Sequence, residues 1–107
     1  MKFKLCASKQ LSVAMKIEDM GYGLHGHDID VEVCVCLDYD KGLLDIEYLD
    51  NYLESLLKPL NRKPLWETVG NEGKIEDLLI YIRNNFKIEG LCELKAIIQN
   101  KEIYLEI

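Results

Sequence analysis

From residue 28 the chain alternates without a break. Ile29, Val31, Val33, Val35 and Leu37 take the odd positions; Asp28, Asp30, Glu32, Cys34, Cys36 and Asp38 take the even ones. A period of two over ten residues predicts a strand with one buried and one solvated face, running from about Leu24 to Leu37. Residues 2–11 alternate as well. Phe3, Leu5, Ala7 and Leu11 fall on one face and Lys2, Lys4, Cys6, Ser8 and Gln10 on the other, with Lys9 interrupting the apolar side. A polar, glycine-bearing stretch over residues 16–23 predicts the loop between the two strands.

Beyond the turn at Asp38-Tyr39-Asp40-Lys41-Gly42 the period changes to that of a helix. Asp45 is a good N-cap, and Ile46, Leu49, Leu53, Leu56 and Leu57 follow at helical spacing until Pro59 ends the run near Lys58. A loop around Pro64 and Trp66 leads to a second helix over residues 73–86, with Ile75, Leu78, Leu79, Ile82 and Phe86 on one face. A final hairpin pairs residues 91–99 with 102–107. The order strand-strand-helix-helix-strand-strand predicts an α+β fold, with both helices on one face of an antiparallel sheet.

The 107 residues make one domain, and 49 % apolar with 30 % charged residues is the composition of a globular protein and argues against disorder. Thirteen Lys and Arg against nineteen Asp and Glu give a net charge of −6, which excludes a basic nucleic-acid footprint and disfavours anionic membranes. The N-terminus alternates as a strand does and has no signal-peptide core, and no stretch approaches the ~20 apolar residues of a membrane span. Together these features predict a cytoplasmic protein whose Cys6, Cys34, Cys36 and Cys92 are reduced. Small buried apolar residues are the plain reading of those cysteines; a metal held by Cys34, Cys36, Asp30 and Glu32 is the other.

His25 and His27 are the only histidines. Two apart on a strand, they share a face with Cα atoms about 6.5–7 Å apart, so both imidazoles can reach one metal ion. The simpler reading makes them strand residues capping the end of a core.

Phe3-Lys4-Leu5-Cys6-Ala7-Ser8-Lys9, Leu24-His25-Gly26-His27, Gly42-Leu43-Leu44-Asp45-Ile46, Leu60-Asn61 and Glu76-Asp77-Leu78 follow one another over nearly the whole chain. In that order they resemble motifs of the 6-pyruvoyl-tetrahydropterin synthase family, which includes the 6-carboxytetrahydropterin synthases. The resemblance implies a tunnelling fold whose subunits close into a barrel as a trimer or hexamer. It also implies lyase chemistry on a pterin- or nucleotide-derived ligand bound at subunit junctions, with zinc on three histidines.

Residue by residue, the implied site is incomplete. His25 and His27 match two zinc ligands, but Lys9 stands at the third, and an ammonium has no lone pair to donate. Gly21 takes the place of the proton-transferring cysteine, and Leu56 and Leu57 that of the Asp-His relay. Gln99 or Asn100 replaces the glutamate that grips the pterin edge. The standard reaction is therefore expected to be lost. Either a divergent ligand-binding protein with zinc on His25 and His27 remains, or a non-catalytic scaffold in which the Lys9 charge replaces the metal. Tyr22 and Trp66 lie in loops from which they would stack on a ligand ring, or cover a core edge.

Overall fold

A computed structural model describes the backbone of residues 1–17, 22–42 and 44–107, with side chains except at 16, 17, 22–26 and 41. Strands β1 (Lys2–Ile17) and β2 (Tyr22–Asp38) form a long antiparallel hairpin. Helix α1 (Ile46–Leu57) follows, then the two-residue strand β3 (Lys63–Pro64) and the single-turn helix α2 (Leu65–Thr68). Helix α3 (Ile75–Asn85) and the hairpin of β4 (Leu91–Ile98) and β5 (Lys101–Leu105) complete the chain. The sheet order is β3-β1-β2-β4-β5.

The α+β class is as expected, with two differences. The sheet is mixed, because β3 runs parallel to β1 at Val13 and Ala14, and α2 is an additional short helix. Neither carries a periodic signal, since each is too short for one. Within one chain the sheet is open and does not close into a barrel.

The strands also reach further than expected. β1 runs past residue 11 to Ile17 and β2 begins at Tyr22, so the pairs Lys16↔Leu24 and Ile17↔Tyr22 enter the expected loop 16–23, because ladder hydrogen bonds tolerate polar residues and glycine where no core is needed.

Asp45 caps α1 as anticipated, its Oδ1 accepting from Glu47 N–H at 2.9 Å. At the start of α3, Asp77 Oδ2 accepts from Lys74 N–H at 3.0 Å. The helices bury Leu49, Leu53, Leu57, Ile75, Leu78, Leu79 and Ile82 against the odd positions of β2. Ile29, Val31, Val33 and Val35 are all 0 % exposed there, so the alternation reports the buried face faithfully. Ile46, the first residue of α1, departs from the predicted helical stripe and is exposed.

The reduced-cysteine expectation is not met. Cys6 is joined to Cys34 and Cys36 to Cys92, leaving no free cysteine. Cys6 and Cys34 are direct cross-strand partners, so the β1–β2 register alone brings the two sulfurs together. Among the described residues no helix is long and apolar enough to cross a membrane.

Candidate functional site

The sheet has a helix-covered face and a helix-free face, and the register decides which side chains each receives. Lys9 pairs with Val31 and so projects among the core positions of the covered face, at the outer margin beside α1. Its Nζ lies 2.8 Å from Asp50 and 3.9 Å from Glu54. That margin is where a cation interrupting an apolar stripe is tolerated: α1 supplies carboxylates and solvent is close. The Asp50 hydrogen bond raises the Lys9 pKa, the charges of Asp50 and Glu54 add to it, and burial opposes it. Lys9 therefore remains an ammonium and not a metal ligand.

Around Lys9 lies a cleft of about 540 Å³ between β1 and α1, lined with Gln10, Asn51, Glu54, Ser55 and Asn61 among others. Asn61, which lines it, and the adjacent Arg62 bind the backbone of β1. Ser12 N–H donates to Asn61 Oδ1 at 3.0 Å, and Arg62 N–H donates to the Ser12 carbonyl at 2.6 Å. Both backbone groups of Ser12 thus point outward. In an antiparallel pair alternate residues point both groups the same way. Lys2, Lys4, Cys6, Ser8 and Gln10 accordingly aim their N–H and C=O groups at an edge that no described strand covers.

The register does not bring Lys9 to the histidines. His27 pairs with Val13, four residues along β2 from the partner of Lys9, or roughly 13 Å at strand rise. His25 is paired further out, with Met15, and its side chain lies outside the described residues, as do the side chain of Tyr22 and all of Gly21. His27 is half-buried. Gln99 and Asn100 form the two-residue turn between β4 and β5, both with positive φ (49° and 64°), and both are exposed. Because Asp30 pairs with Ile97, this turn lies at the same end of the sheet as His27. Leu57 is buried in the core and Leu56 half-buried against it, so neither stands in for a proton relay. Trp66 is half-buried in α2.

The helix-free face concentrates chemistry that the alternation alone did not reveal. A Lys4–Glu93 ion pair links β1 to β4 across β2, roofing Cys34, which is 0 % exposed although no helix covers it. The hydrogen bond from Lys4 holds the Glu93 carboxyl below the ordinary carboxylate range. Lys95 lies 3.7 Å from Glu32, 3.5 Å from Glu102 and 5.4 Å from the centre of the Tyr104 ring. Burial draws its pKa down, but Tyr104 and the two carboxylates outweigh burial and raise it.

At the Cys34/Val35 register shift Gly90 admits the β4 backbone. Its φ is +100°, and a Cβ there would lie 2.8 Å from the Cys36 carbonyl oxygen. That close approach, with Cys36 N–H donating to the Gly90 carbonyl at 2.9 Å, sets Cys92 against Cys36. The alternation placed Cys34 and Cys36 on the polar face. Their partners are hidden because Cys6–Cys34 depends on the β1–β2 register and Cys36–Cys92 on the β2–β4 register, neither of which alternation reports.

No known family model matches this chain, and no curated protein matches it.

Proposed function

We propose that this chain is a divergent tetrahydropterin-synthase-like subunit that assembles edge to edge with its own copies. At the junction it binds a pterin- or purine-derived small molecule, without the proton-relay reaction. The observation that carries this reading is the open edge of β1 over residues 2–10, lying directly beside the Lys9 cleft. An uncovered edge is a template for a further strand, and β5, at the other end of the sheet, is a matching open edge. Head-to-tail pairing of unlike edges produces rings when the rotation closes. A strand added to β1 would wall the cleft, and Glu54, 66 % exposed, would offer its carboxylate to the amino-pyrimidine edge of a flat heterocycle.

One observation favours instead a scaffold that binds no anion, and not the version in which Lys9 replaces the metal. The Lys9 charge is already met by Asp50, which leaves little surplus to attract an anion or replace a metal ion.

Light scattering combined with titration of a fluorescent pterin separates the two. A closed oligomer that binds pterin, and loses at least about tenfold in affinity in Glu54→Gln, supports the first reading. An oligomer without binding supports the scaffold. A monomer at tens of micromolar overturns both. Ser8→Pro removes an outward N–H without touching the β1–β2 ladder, and is expected to dissociate the assembly.

A further inference from the structure

The proposed function leaves unused a set of donors on the helix-free face. Cys6 Sγ, Cys34 Sγ and a Glu32 carboxylate oxygen lie within 4.8 Å of one another. Glu32 Oε1 is 3.8 Å from Cys34 Sγ. The strands impose this grouping: Cys6 faces Cys34 across the β1–β2 pair, and Glu32 is two residues from Cys34 on the same face. Two thiolates and a carboxylate, with water in the fourth place, are a donor set for tetrahedral zinc. While the sulfurs are bonded to each other, neither carries a charge to offer.

We infer that Cys6, Cys34 and Glu32 form a redox-gated zinc site, shut as the Cys6–Cys34 disulfide and opened by its two-electron reduction. The reductant is a thiol. Its thiolate attacks exposed Cys6 Sγ, the S–S bond breaks and Cys34 leaves as a thiolate. A second thiol of the reductant attacks the mixed disulfide and frees Cys6. The reductant departs as its own disulfide, and the protein has gained two electrons and two protons. Zn²⁺ then takes both sulfurs as thiolates and releases those two protons.

The surroundings suit a dication. Asp30, Glu32, Glu93 and Glu102 lie on this face, while Lys4 is engaged by Glu93 and Lys95 is shared between Glu32 and Glu102. The long β1–β2 ladder holds the two cysteines in register when the covalent bond is gone. This site is independent of the assembly reading, since one chain supplies all three ligands.

The test is a Co²⁺ titration followed by absorption, with Zn²⁺ competition. Cys36→Ala/Cys92→Ala removes the second disulfide, so that reduction acts on Cys6–Cys34 alone. The reduced variant is expected to bind about one Co²⁺ per chain with thiolate-to-cobalt charge-transfer absorption. The oxidised form is expected to show no such absorption, and a disulfide oxidant to expel the metal. Glu32→Gln is expected to weaken binding at least about tenfold. Should the double variant fail to fold, reduced wild type and reduced Glu32→Gln are compared directly.

Absence of cobalt uptake by the reduced, folded protein overturns the inference. So does equal uptake by the oxidised form, or a spectrum without thiolate bands, which would put the metal on His25 and His27. Unchanged affinity in Glu32→Gln overturns it as well.

Discussion

On the covered face of the sheet, Ile29, Val31, Val33 and Val35 meet Leu49, Leu53, Leu78 and Ile82, every one of them 0 % exposed, and no described polar side chain is buried. Across the same backbone, less than a side chain away, two disulfides and the ion pairs of Lys4 and Lys95 hold β1, β2, β4 and β5 together. One face is held by area removed from water, which has no direction and no dependence on pH or redox state. The other is held by bonds that respond to thiols, protons and salt. Chemistry can therefore be altered on the second face while the first keeps the fold.

Experiments on each face separately sharpen that contrast. The largest effect is expected from Cys36→Ala/Cys92→Ala, which opens a loop with a sequence separation of 56 residues. Chain-entropy reasoning gives about 4 kcal/mol of lost stability, measurable by urea denaturation of the oxidised protein. Leu78→Ala is expected to cost about 3 kcal/mol through the cavity it leaves, with the same loss in oxidised and reduced protein. A loss that changed with redox state would show that the faces are coupled. Asp45→Ala removes the cap of α1 and is expected to cost about 1 kcal/mol in the same assay.

The smallest effect belongs to the charges. Because its pKa is lowered, Glu93 contributes stability above its ordinary value of 4.5 and loses it as pH falls through the depressed value. Lys95, whose pKa is raised, contributes below 10.5 and loses it as pH rises through the raised value. Lys4→Met is therefore expected to lower Tm by a constant amount near neutral pH. The difference from wild type should vanish in acid and shrink in high salt. A difference that persisted in acid would assign the loss to the packing of the Lys4 stem.

The covered face was legible in the sequence because burial writes itself as a period. The odd positions of β2 and the stripes of α1 and α3 are read directly from the alternation and the helical spacing. Two things escaped. The disulfide partners depend on the β1–β2 register for Cys6–Cys34 and on the β2–β4 register for Cys36–Cys92, and alternation assigns a cysteine to a face without naming its neighbour. Lys9 was readable as an interruption, but the resemblance set it beside His25 and His27, whereas the register sets it opposite Val31 under the carboxylates of α1. Short elements such as β3 and α2 leave no periodic trace at all.

β3 contributes almost nothing to the core, yet it has a geometric consequence. With Asn61 and Arg62 it occupies the rim of β1 from Ser12 to Ala14, so the open rail of outward backbone groups ends at Gln10 against a fixed buffer. A strand sliding along that rail towards the hairpin tip is stopped there. In the proposed assembly a set phase would repeat the same rotation at every step, and copies would close into a circle where that rotation closes and grow into a fibre where it does not.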